Sequence, residues 1–172
     1  MSVTLPEFVD AWRMVSARRS FQGTLPVAGF ARLRDMLAAD DGAVEYELDF
    51  GRDSLGISYV DVRAKVSLTV TCQRSLEPFA LPIVVDTRLG LIKLERDEAA
   101  LPPECEPLLV AEDGRLSPAD VIEDELMLAL PLVPVNPDSS LPDEVTGHEL
   151  EEDLSREGRS ENPFAVLREL KK

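Results

Sequence analysis

Val62-Arg-Ala-Lys-Val-Ser-Leu-Thr-Val-Thr-Cys-Gln73 alternates an apolar with a polar side chain at every step. Successive side chains of an extended strand point to opposite faces, so this run predicts a long, half-buried strand with Val62, Ala64, Val66, Leu68, Val70 and Cys72 on the dry side. Upstream, Val44, Tyr46, Leu48 and Phe50 repeat the pattern against Glu45, Glu47 and Asp49. The turn Asp40-Asp-Gly42 precedes that second strand, and Gly51-Arg-Asp-Ser-Leu-Gly56 separates the two. A connection this short has no room for a crossover helix, so the strands are antiparallel neighbours. A doubly wound parallel sheet is thereby disfavoured.

Shorter strands are expected at Leu81–Val85, Leu89–Leu94 and Leu108–Val110, with extended candidates at Val3–Leu5, Trp12–Ala17 and Phe21–Val27. Between Ala28 and Ala39, the spacing of Phe30, Leu33 and Leu37 predicts a helix, with Gly29 weakening its start. The clearest helix follows Ser117-Pro-Ala-Asp120. Ser117 suits the N-cap, Pro118 the first helical position and Asp120 the positive end, while Pro131 stops it. Ile122, Leu126, Ala129 and Leu130, flanked by Val121 and Leu128, form the expected packed side, with Asp120, Glu123 and Asp124 turned to water. Pro131, Pro134 and Pro137 then make a stiff ladder. These readings give an α+β fold: a largely antiparallel sheet with packed helices and an acidic C-terminal arm.

The expected organisation is a compact domain over residues 1–135, an acidic arm over 136–161 and a short helix over 162–172. Apolar residues thin out in the arm, and Pro137, Pro142, Gly147 and Gly158 interrupt it. In the last segment Asn162 can cap and Pro163 can start a helix that lines up Phe164, Leu167 and Leu170. So short a helix needs packing on its own domain or on a partner to persist.

With 33 acidic against 18 basic residues the chain carries a formal charge of -15, which repels long polyanions at distance. Nucleic-acid contact therefore requires a local patch. Residues 1–34 hold five arginines against Glu7 and Asp10, whereas residues 95–128 hold eleven acids against Arg96 and Arg115. The candidates for contacting RNA phosphates are Arg13, Arg18, Arg19, Arg32 and Arg34, with Arg63, Lys65 and Arg74 on or beside the long strand. Trp12, Phe21 and Tyr59 are candidates either for stacking on bases or for the core. Asp120, Glu123, Asp124, Pro131, Pro134 and Phe164 are the candidate protein-partner surface.

Cys72, Cys105 and His148 are too few soft ligands for a structural zinc site, and two cysteines do not make a disulfide framework. No metal site, cofactor or catalytic set is expected. The start of the chain lacks a secretion signal, and no run of about 18 apolar residues is present. A cytoplasmic protein in a reducing compartment, without membrane contact, is the expectation.

Three patterns in order, Cys72-Gln-Arg-Ser75-Leu-Glu-Pro-Phe79, Asp120 through Val135 and Asn162-Pro-Phe-Ala-Val-Leu167, make the sequence resemble the bacterial YceD family of large ribosomal RNA subunit accumulation proteins. The likeness runs along nearly the whole chain. It implies a non-enzymatic role in the synthesis, processing or stability of 23S ribosomal RNA. It also implies 23S RNA or its precursor as partner; the charge of the acidic arm separately suggests a basic large-subunit ribosomal protein as a second partner. A protein-only assembly adaptor and an RNA-processing enzyme are the alternatives. The family often carries Cys-x-x-Cys before Pro-Phe; here Ser75 stands at the second position, so a two-cysteine clasp is not available.

Overall fold

The structure, a computed structural model, describes residues 5–139. Most of the Val3–Leu5 candidate, the acidic stretch from residue 140, His148 and the 162–172 segment with Phe164 lie outside the described residues.

The alternating run forms β4, Ser58–Thr71, paired antiparallel with β3, Ala43–Arg52, in the register Leu48 to Val62 and Tyr46 to Ala64. Because the period is two, this register puts the alternating apolar residues of both strands on one face: Val44, Leu48, Val60, Val62 and Leu68 are each at most 1% exposed. β2, Ser20–Pro26, borders β3, and β5, Pro78–Ile92, borders β4, both antiparallel. β6, Glu106–Leu109, adds parallel to the end of β5 from Leu89 to Ile92. The sheet order is thus β2-β3-β4-β5-β6. β5 is one continuous strand where the sequence suggested two, because β4 supplies an unbroken partner from Tyr59 to Thr71.

Two local expectations were overturned. Trp12–Ala17 is not extended but lies in α1, Ala11–Ala17. Asp10 caps it by accepting from the Arg13 amide at 3.0 Å, and the apolar pair Ala11 and Val15, four apart, seats it on the sheet. Nor does the Ala28–Ala39 helix run its full length. A single 3-10 turn at Val27–Gly29 is followed by extended Phe30 and a four-residue α2, Ala31–Arg34. The chain then turns aside so that the Ala38 amide donates to Thr69 O at 2.8 Å, filling β4 beyond the end of β3. Tertiary pairing outweighs a weak helical period here.

α3, Pro118–Ala129, appears as read, with Ser117 Oγ accepting from the Asp120 amide at 3.3 Å. Ile122 and Leu126 are fully buried against β4 and β5. Leu128 and Ala129 are exposed instead, and Glu123, expected in water, is buried. The buried stripe of α3 is therefore rotated from the expected one toward Glu123 and Glu125. Fully burying an aliphatic side chain of this size contributes about 1.5–3 kcal/mol. Truncating Ile122 or Leu126 to Ala should cost about 2–5 kcal/mol.

A two-residue ladder joins β1, Val9–Asp10, to β7, Arg115–Leu116, just ahead of α3. The turn before β7 has Gly114 at φ +77°, where a Cβ would also stand 3.0 Å from the Trp12 ring. Any larger residue would be strained at that corner. The fold is mixed α+β, with helices over the apolar face of the sheet and a charged outer face.

Candidate functional site

The outer face of the sheet holds the polar half of each alternating strand. Arg63 on β4 sits between strands, with Nη1 2.8 Å from Glu47 Oε2 and 3.4 Å from Asp49 Oδ2, and Nε 3.8 Å from Asp86. Arg88 grips Asp61 with two bonds, at 2.6 and 2.8 Å, and its guanidinium lies 4.1 Å from the centre of the Tyr59 ring. These carboxylates raise the pKa of both arginines, first through the hydrogen bonds that Arg63 donates to Glu47 and Arg88 donates to Asp61. Arg63 is thus committed to its own sheet.

Arg32 is committed elsewhere. It leaves α2 to meet α3, with Nε 3.0 Å from Glu123 Oε2 and Nη1 2.5 Å from Asp124 Oδ1. Glu123 Oε1 also accepts from the backbone amides of Arg32 and Leu33 at 2.7 and 3.0 Å. Burial alone would raise the pKa of this carboxyl; the Leu33 amide and the Arg32 side chain and amide outweigh burial and hold it below the usual carboxylate range. The acid thus ties the turn after Phe30 to the helix, and with Asp124 it is occupied in a contact within the chain. Asp120 is exposed at the start of α3.

Arg74 belongs to a third internal contact. Its Nε donates to Ser139 Oγ at 2.9 Å and its Nη2 to Asn136 O at 2.7 Å. The Gln73 amide donates to Pro134 O at 2.8 Å. The segment after α3 is thereby strapped across the β4–β5 turn, and Pro131, Leu132 and Pro134 border a shallow groove of about 310 Å³ with Met36, Leu37 and Val70. Cys72 lies buried beneath the strap. Amides of Ser75 and Asn136 donate to its sulfur at 3.5 and 3.4 Å, and Ser139 Oγ lies at 3.4 Å. Burial opposes the thiolate, but the contacts from Ser139, Ser75 and Asn136 outweigh it and bring the pKa to about 6. Cys105 is a second free, buried thiol whose pKa burial pushes up.

Arg13, Arg18, Arg19, Arg34 and Lys65 are exposed and form no ion pair among the described residues. Arg18 and Arg19 close α1, Arg18 in the left-handed region at φ 47°, with their amides on Val15 O and Met14 O. Phe21 is a core residue, edge-on to Phe50 at 6.2 Å. Trp12 and Tyr59 are half-buried, each with a cation over its ring: Lys93 at 5.1 Å from Trp12, Arg88 at 4.1 Å from Tyr59. Arg115 covers Phe8 at 3.4 Å. Sequence reasoning missed Lys93 and Arg115, because only the β1–β7 ladder and the end of β5 bring them beside these rings.

Among the described residues no group of three or more His, Cys, Asp or Glu side chains is placed to hold a metal ion, and no helix is long and apolar enough to cross a membrane. Over residues 60–171 the sequence matches the family model described as Large ribosomal RNA subunit accumulation protein YceD. The chain belongs to the YceD family. Among curated relatives, the Haemophilus influenzae protein named Large ribosomal RNA subunit accumulation protein YceD is 29% identical over 174 residues, covering 98% of this chain and 97% of that protein. No solved structure matches the chain. The family match takes in nearly all of β4, with β5, the β4–β5 turn and α3, so the strap over Cys72 falls within the YceD region, and Glu123 ties that region to Arg32 upstream of it.

Proposed function

We propose that this chain supports the accumulation of large-subunit 23S ribosomal RNA as a non-enzymatic binding factor, promoting its synthesis, processing or stability. The observation that carries the reading is the family match over residues 60–171, together with a relative of that name aligned along 98% of the chain. A folded platform with a packed core and separate charged surfaces suits a factor that holds a partner.

For direct RNA contact the cations available are Arg13, Arg18, Arg19, Arg34 and Lys65. Arginine engages phosphate and stacks on unpaired bases. Arg32, Arg63 and Arg74 serve this role less well, because each would have to leave a carboxylate or a carbonyl that it already binds. That commitment is a specific reason to keep the second reading, an adaptor that meets only protein and reaches the RNA through a basic ribosomal protein.

Ultraviolet crosslinking in cells, read out for both RNA and protein, separates the two. The first reading expects large-subunit RNA crosslinked near Arg18 and Arg19, and loss of those crosslinks when both are changed to Glu. Copurification with ribosomal proteins that survives nuclease, with no RNA crosslink, would favour the protein-only adaptor.

A further inference from the structure

Among the described residues the outer edge of β5 is paired only in part. In an antiparallel pair each residue directs its N–H and C=O either to the partner or away from it, alternately. Pro78 and Pro82 stand opposite Thr71 and Ser67 of β4 and have no N–H to give, so the even-numbered positions of β5 face outward. The far end agrees: Ile92 O accepts from the Val110 amide at 2.9 Å, on the β6 side. β6 begins its pairing only at Leu89. Between Pro82 and that point the outward N–H and C=O groups of Val84 and Asp86 meet no described strand. An uncovered strand edge of this kind is a template for an added strand.

The chemistry beside the edge selects what would add. A groove of about 300 Å³ opens there between β5, the start of β6 and the end of α3, and its lining includes Val84, Asp86, Thr87, Glu106, Glu125 and Leu128. Three of these are carboxylates, and no basic side chain lines it. Asp86 is exposed, its contact with Arg63 at 3.8 Å being the longest that Arg63 makes. Val84 and Leu128 are 67% and 73% exposed, so the groove also offers aliphatic surface on both of its walls.

We propose that the open edge of β5 receives a short, extended, lysine- or arginine-bearing segment of a partner protein as an added strand. Backbone groups of the segment pair with Val84 and Asp86. Its cations meet Asp86, Glu106 and Glu125, and its apolar residues cover Val84 and Leu128. A polyanion is repelled by the same three carboxylates, so RNA is not the occupant. The site is separate from the arginines assigned to RNA, and its test does not depend on their role.

The full chain, labelled for amide resonance detection, is titrated with a short acetylated peptide of alternating lysine and valine. The expected result is saturable shifts centred on the Val84 and Asp86 amides. Val84→Pro removes an outward N–H, in the pattern Pro82 already sets, and should abolish those shifts while leaving the unfolding midpoint near that of the wild type. The double variant Asp86→Asn with Glu106→Gln leaves the edge intact and should weaken binding by about tenfold. Three results overturn the proposal: no shift at Val84 and Asp86 at millimolar peptide, equal or stronger shifts there from oligouridine, or wild-type peptide affinity in a folded Val84→Pro variant. Concentration-dependent dimerisation that Val84→Pro removes would likewise overturn it, by assigning the edge to a second copy of the chain.

Discussion

Glu123 and Glu125 sit two residues apart on α3, both buried, and titrate in opposite directions. Glu123 accepts from two amides and a guanidinium, so its folded pKa lies below the unfolded value. Its contribution is complete above the ordinary carboxylate range and is lost as pH falls through the folded pKa. Glu123→Ala strands the Arg32 and Leu33 amides and should cost about 2–4 kcal/mol in urea unfolding at neutral pH, with a smaller difference in acid. Glu125 has its pKa raised by burial, and the charges of Glu106 and Asp124 act the same way against a bond from Thr87. The ionised form is the disfavoured one in the fold, so its contribution falls as pH rises from the unfolded pKa through the raised folded value. Glu125→Gln should therefore raise the thermal midpoint at neutral pH and change little below the ordinary carboxylate range. Neither behaviour was legible in the sequence. Glu123 read as a wet residue because its partner, Arg32, comes from a segment whose turn at Phe30 carries no strong local signal.

At the scale of elements, legibility followed the length of the periodic signal. β4 was readable because Val62 through Cys72 alternate without a break, and its partner β3 because the same alternation recurs across a short turn. α3 was readable from its ends: Ser117, Pro118 and Pro131 each act through backbone geometry that does not depend on tertiary partners. Ser117→Ala should thus cost about 1 kcal/mol, measured by urea unfolding, without altering the sheet. Loss of several kcal/mol would mean that Ser117 holds more than the Asp120 amide. α1 failed the reading because it is only seven residues long and buries only Ala11 and Val15, with Trp12 and Met14 partly packed beside them, too little to reveal a period. β5 was split in the reading because Asp86 and Arg88 interrupt its hydrophobic pattern, although on the outer face they are in register with Arg63 and Asp61. Because β6 begins pairing only at Leu89, Val84 and Asp86 lie on an edge that no described strand covers.

For the whole molecule, the acidic excess is arranged so that several cations serve the fold. Arg32 joins α2 to α3, Arg63 and Arg88 bind neighbouring strands, and Arg74 holds the strap over the β4–β5 turn. Of the eight basic residues that sequence reasoning put forward for RNA, Arg32, Arg63 and Arg74 have such partners, which no composition or charge pattern could disclose. The YceD pattern itself was legible, because the β4–β5 turn and the Ser117 to Pro137 segment are local runs of unusual residues. The central claim, that the chain supports accumulation of large-subunit RNA without turning it over, is tested by depleting the protein in its own cells and measuring the ratio of 23S to small-subunit ribosomal RNA. The account predicts that the ratio falls and is restored by the wild-type chain. An unchanged ratio after complete depletion would contradict it.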